Sequence, residues 1–119
     1  MRHKVIVGAL LFMACSPGRV YMNDVNTTPT IAEAERLITD AQRAGADSLA
    51  TEALTAARLA LESARAFEQG GRRSRAQVEA LRAQAEARYA RAVAERTLAE
   101  REQLRARDAL AALPPGGAQ

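Results

Sequence analysis

Between Arg72 and Leu113 the chain has no Gly and no Pro. Ala, Arg, Glu, Gln and Leu fill the stretch, and all are strong helix formers. The pattern predicts one unbroken helix over 72–113, about 60 Å long at the standard rise. Val78, Ala85, Ala92, Ala99, Ala106 and Leu113 recur within it every seven residues. That spacing keeps a narrow stripe of mostly small side chains along one helix face, a coiled-coil-like alanine seam. Whatever this chain folds into must accommodate so long a rod.

Two shorter helices precede it. Thr30 and Glu33 stand in capping-box spacing. Ile31, Ala34, Leu37, Ile38, Ala41 and Ala44 follow at helical intervals, so a first helix is expected over 31–44, ended by Gly45. Asp47, Ser48 and Thr51 each offer an oxygen to start a second helix over 51–69. Leu54, Ala57, Leu61 and Ala64 form one apolar stripe on it. Leu49, Ala53, Ala56, Ala60 and Phe67 form another alongside. Such a wide arc suits a middle helix with two neighbours. Gly70 and Gly71 then allow a tight reversal. About that reversal, an antiparallel register pairs Ala64 with Val78, Leu61 with Leu81, Ala57 with Ala85 and Ala50 with Ala92. About a turn at Asp47–Ser48 it pairs Ala41 with Leu54 and Ile38 with Ala57. The expected fold is all-α: a three-helix antiparallel hairpin bundle whose long C-terminal helix overhangs. With a partner segment ending near Ala92, the overhang would run about 30 Å.

The N-terminus has a different character. Met1–Lys4 is basic, Val5–Met13 is apolar, and Ala14 precedes the only cysteine, Cys15. That order is a secretory signal, and its apolar run is too short for a transmembrane helix. Phe12-Met13-Ala14-Cys15 resembles the lipobox of bacterial lipoproteins, whose cysteine is lipidated and becomes the first residue of the mature chain. The resemblance implies a signal peptide over 1–14 and lipid attachment at Cys15. It also implies retention at the outer membrane, because Ser16 rather than Asp follows the cysteine. Pro17, Gly18, Asn23, Asn26, Thr27, Thr28 and Pro29 carry no helical or strand period, so 15–29 reads as lipidated cysteine plus flexible tether. The helical domain then covers 30–113, and Pro114–Gln119 forms a disordered tail.

Composition narrows the chemistry. Of 17 basic residues, Arg2 and Lys4 fall in the signal segment, leaving 15 against 14 acids in the mature chain. So even a balance does not suit a nucleic-acid binder, and none is expected as a partner. Lys4 is the only lysine and His3 the only histidine. The mature chain would therefore lack a histidine general base, a free thiol and the common transition-metal ligands. Its carboxylates lie beside arginines at i,i+3: Glu33–Arg36, Asp40–Arg43, Glu62–Arg65, Glu79–Arg82 and Glu102–Arg105. That is the pattern of a solvated helix surface. No catalytic residue, cofactor or metal is expected, and the chain does not read as an enzyme. Arg72, Arg73 and Arg75 make a basic spot at the second turn, suited to an acidic lipid headgroup or a cell-wall carboxylate. Ala99, Ala106, Leu110 and Leu113 continue the seam beyond the hairpin and are the candidate partner interface, open to a second copy or to another envelope protein.

Several local patterns from Pro29 onward resemble small helical envelope proteins grouped as domain of unknown function 4398. They are Ala44-Gly45-Ala46 at the first turn, Ala57-Arg58 followed by Leu61-Glu62, a Gly-bearing second turn, and Ala83-Gln84-Ala85-Glu86-Ala87-Arg88-Tyr89-Ala90. Members are commonly lipoproteins, and some carry an added peptidoglycan-binding domain, so the resemblance implies an envelope setting near peptidoglycan. It carries over no catalytic residue. The expected function is a lipid-anchored periplasmic structural or adaptor protein of the outer envelope. The alternative is a chaperone-like or regulatory lipoprotein subunit of an envelope machine.

Overall fold

A computed structural model describes residues 26–116. The signal segment, Cys15 and most of the tether lie outside the described residues. The described chain is all-α. Helix α1 spans Thr28–Arg43, a single turn α2 spans Ala46–Leu49, α3 spans Thr51–Gln69 and α4 spans Arg73–Ala111. At 39 residues, α4 is about 58 Å long. It packs against both α1 and α3, and α3 and α4 form the tight antiparallel hairpin.

The turns follow from two glycines. Gly45 has φ of 89° and Gly71 has φ of 71°, a left-handed conformation that costs other residues steric strain. At the second turn the Arg72 amide donates to the Phe67 carbonyl at 2.8 Å and the Gly71 amide to Glu68 at 3.0 Å. This pair of bonds is a Schellman cap, which satisfies the last carbonyls of α3.

Helix α1 starts earlier than the sequence pattern predicts. Pro29 sits in its first turn, where a missing amide hydrogen costs nothing. The Asn26 side-chain oxygen accepts from the Thr28 amide at 3.2 Å. The expected capping box therefore does not form, and Glu33 instead holds Arg36 at 2.7 Å. Thr27 is buried, and its hydroxyl donates to the Glu68 carboxylate near the end of α3. The side-chain starts expected for the second helix are also used differently. Asp47 pairs with Arg58 at 2.8 Å, Ser48 turns back to the Gly45 carbonyl, and α3 begins after Ala50 with no side-chain cap.

The core divides its volume unequally. Its large side chains, Ile31, Leu37, Ile38, Leu54 and Leu61, all come from α1 and α3. Helix α4 contributes buried alanines: Ala76, Ala80, Ala83, Ala87, Ala90 and Ala94. The apolar face of α1 and the Leu54, Ala57, Leu61 and Ala64 stripe of α3 are buried as their periodicity predicts, whereas of the second expected stripe Ala60 is buried and Leu49, Ala53, Ala56 and Phe67 are only half-buried. The face of α4 is not the expected one. Val78 is 63% exposed and Leu81 51% exposed, and Ala85 and Ala92 also face solvent. The register that set Leu61 against Leu81 is therefore wrong. Two residues along a helix turn about 200° around it, so Ala85 points away from the Ala83–Ala87 side. Helix α4 carries two apolar stripes on opposite sides, and either satisfies a constant pairing with α3. The alanine stripe is buried because α4 must approach α1 and α3 together. Small side chains let its backbone sit close to both, while the bulky leucines and isoleucines of the other helices fill the space.

Candidate functional site: the outer face of α4

The polar contacts of the bundle hold elements in place. Gln84 is buried, donates from Nε2 to the Thr30 carbonyl at 3.0 Å, and so ties α4 to the start of α1. Arg65 reaches across to Glu35 on α1 at 2.6 Å rather than to Glu62. Arg36 bridges Glu33 and Asp40, and its hydrogen bond holds the Glu33 carboxyl below the usual carboxylate range. In turn, Glu33 raises Arg36. Arg91 is likewise raised by its bond to Glu95 at 2.6 Å. Glu79–Arg82 forms at 3.8 Å and Asp40–Arg43 at 3.5 Å, both as expected. Glu102 and Arg105 do not form an ion pair among the described residues. These pairs lie in solvent and stabilise little individually.

Nothing in these contacts amounts to a reactive centre. Among the described residues no group of three or more His, Cys, Asp or Glu could hold a metal ion. Among them, too, no helix is long and apolar enough to cross a membrane. The surface concavities are open grooves. One is lined by Phe67, Ser74, Arg75, Val78 and Glu79 at the hairpin turn. Another runs beside α2, with Tyr89 and Val93 along its edge.

The basic spot is real as a location. Arg72, Arg73 and Arg75 are exposed at the α3–α4 turn. The Arg75 guanidinium lies over the Phe67 ring at 5.8 Å, a cation–π contact that holds it against α3. The same end of the bundle receives the start of α1, because Thr27 bonds Glu68 one turn from Gly71. The arginines and the point where the tether enters the fold are therefore neighbours, as the antiparallel order of the helices requires.

The second candidate, the overhang interface, proves to be part of a longer feature. Burial on α4 reaches Ala94, and Thr97 is half-buried. From Leu98 to Gly116 every residue is exposed. The overhang thus begins about six residues later than expected, and Leu98–Ala111 projects about 21 Å. Ala99, Ala106 and Leu110 stand on it in solvent, whereas Leu113, expected as the last residue of the helix, lies in the bend beyond the end of α4 and is also exposed. They continue the line of Val78, Leu81, Ala85 and Ala92, which was expected to be core and is not. A single exposed apolar stripe therefore runs the length of α4, opposite the buried alanines. Tyr89, 62% exposed, borders it. Lipid attachment at Cys15 falls outside the described residues.

Compared with protein-family models, with curated proteins and with solved structures, the chain gives no match.

Proposed function

We propose that this chain is a lipid-anchored structural or adaptor protein on the periplasmic side of the bacterial outer membrane, related to the domain of unknown function 4398 proteins. The observation that carries the adaptor role is the exposed stripe on α4. Val78, Leu81 and Leu110 are each more than half exposed, yet they are aligned on one side of a rigid helix. Ordered apolar surface of this kind suits a protein contact better than a solvated face.

The anchor rests on the order of basic, apolar, Ala14 and Cys15 at the N-terminus. The position of Thr27 adds a geometric consequence. From Cys15 to Asn26 the chain can extend roughly 40 Å at most. A lipid on Cys15 would therefore keep the arginine-bearing end of the bundle within that distance of the bilayer, where Arg72, Arg73 and Arg75 can meet anionic headgroups or cell-wall carboxylates. Each acyl CH₂ buried in the bilayer contributes about 0.8 kcal/mol, so several chains on one cysteine anchor firmly.

The test is acylation. Cells fed a labelled fatty acid should mark the wild-type protein and not Cys15→Ser, and the variant should leave the membrane fraction or persist as an uncleaved precursor. An unlabelled wild-type protein would end the anchored reading.

A further inference from the structure

We infer that the α3–α4 turn docks on an anionic phospholipid surface, so that the bundle stands on this end and α4 carries its overhang away from the bilayer. The inference deepens the anchored reading, on which the presence of a membrane at this end rests. It adds the surface touched, the residues that touch it and the orientation that results.

Charge is distributed unevenly along the bundle. Residues 66–78 hold three arginines, Arg72, Arg73 and Arg75, against one acid, Glu68. The other described residues hold eleven arginines against twelve acids. Among the described residues the basic excess is therefore confined to the turn. Neighbouring side chains do not cancel it. Glu68 accepts the Thr27 hydroxyl, while Arg65 and Arg82 to either side hold Glu35 at 2.6 Å and Glu79 at 3.8 Å. Arg75 lies over the Phe67 ring rather than on a carboxylate. Nor does the helix gain from these cations. They open α4, where the backbone dipole disfavours positive charge, and its first turn contains no acid. Exposed charge set against the preference of its own helix finds its complement in an anion outside the chain.

Apolar surface decides which anion. Phe67 and Val78, with Ser74, Arg75 and Glu79, line an open groove of about 430 Å³ beside the basic turn. Phe67 is half-buried and Val78 exposed. Val78 stands five residues into α4 from Arg73, about 8 Å along the axis. A cell-wall polymer offers carboxylates but no hydrocarbon for such a groove. A phospholipid offers both, with phosphate at the surface and acyl chain just beneath, at the depth of about 5–10 Å that interfacial apolar side chains reach.

The tether supplies the placement. Thr27 bonds Glu68 at this same end of the bundle. Helices α1 and α4 are both antiparallel to α3, so both begin at the membrane and the overhang lies at the far end. Counted from Arg73, Leu98 stands about 38 Å and Ala111 about 57 Å along α4. The overhang is thereby held clear of the lipid.

Fluorescence quenching tests this directly, since the chain has no tryptophan and a single introduced one reports its own surroundings. Phe67→Trp and Val78→Trp each place it in the groove, and Leu110→Trp places it on the overhang. The full-length protein, extracted from membranes, is reconstituted in vesicles of phosphatidylcholine brominated high on its acyl chains, alone or with an equal part of phosphatidylglycerol. Both groove reporters should be quenched in the anionic vesicles and not in the neutral ones, and Leu110→Trp in neither. Each arginine near an anionic surface strengthens binding about fivefold, so Arg72→Gln, Arg73→Gln and Arg75→Gln together should weaken docking about a hundredfold and remove the quenching. Helicity by circular dichroism should be unchanged in every variant. Quenching of Leu110→Trp as strong as that of the groove reporters would show a rod lying flat and overturn the orientation. Unquenched groove reporters, or equal quenching in both kinds of vesicle, would overturn the docking. So would shielding of the groove reporters by added peptidoglycan fragments without any response to phosphatidylglycerol, which assigns the turn to the cell wall. Flotation with the vesicles and fatty-acid labelling report the anchor, whereas quenching reports the turn. A labelled chain that floats unquenched keeps its anchor and loses the docking, and an unlabelled chain quenched on anionic vesicles keeps the docking and loses the anchor.

Discussion

Leu54 is the largest side chain that is fully buried, at 1% exposure, and its truncation to Ala is the sharpest probe of the core. Three carbons leave, each worth about 0.8 kcal/mol of transfer free energy, or about 2.4 kcal/mol together. The cavity left behind adds up to about 1–2 kcal/mol, because its neighbours Ala57, Ala50 and the α4 alanines are short and cannot reach into it. The expected cost is therefore about 3–4 kcal/mol. A single core of this size rarely supplies more than about 3–5 kcal/mol in all. For a domain of this length each kcal/mol lowers Tm by about 4–8 °C. Leu54→Ala should thus lose between about 12 °C and its entire cooperative transition. Leu59, on the same helix and 59% exposed, is the control. Its replacement by Ala keeps helix propensity nearly constant and should cost less than about 0.5 kcal/mol. Thermal melts followed by far-UV circular dichroism give both values. If the two variants melt together, or if Leu54→Ala melts within a few degrees of wild type, the assignment of the core to this face of α3 is refuted.

Two further substitutions test the fold. Ala87→Leu inserts a branched side chain where Ala80, Ala83, Ala87 and Ala90 are all at 0% exposure, so it should destabilise by about 1–3 kcal/mol; in dilute monomeric protein Ala85→Leu, on the opposite side, should not, and equal melts would mean that α4 is turned the wrong way. Gly71→Ala should cost about 1–2 kcal/mol because its φ of 71° is left-handed, although a Cβ there would touch nothing; Gly70→Ala should cost less, since Gly70 has an ordinary φ of −80°, and denaturant titration separates the two.

The exposed stripe matters for function because it decides what the overhang is. Taken alone, Leu98–Ala111 is a short charged helix standing in water. Joined to Val78, Leu81, Ala85 and Ala92, it is the distal half of one continuous surface. The basic spot gains meaning in the same way. Arg72, Arg73 and Arg75 lie at the α3–α4 turn, and the antiparallel order of the helices brings the tether to the same end, where Thr27 bonds Glu68.

The sequence by itself determined the helices and where they turn. Helix propensity and the absence of breakers made α4 long, Gly45 and Gly71 placed the reversals, and the helical periods of α1 and α3 marked faces that are buried as expected. These are local properties, set by backbone sterics and by the single apolar face that each shorter helix possesses. Local information failed at α4 because that helix has two apolar faces. Periodicity finds both and ranks the one with Val78 and Leu81 higher, since larger side chains gain more from burial. Only the tertiary structure decided between them. Three helices meeting along one line need a narrow member, and the alanines at 76, 80, 83, 87, 90 and 94 provide it. Backbone proximity to two neighbours at once outweighs the burial of a few larger side chains, so those side chains are left on the outside, in a row.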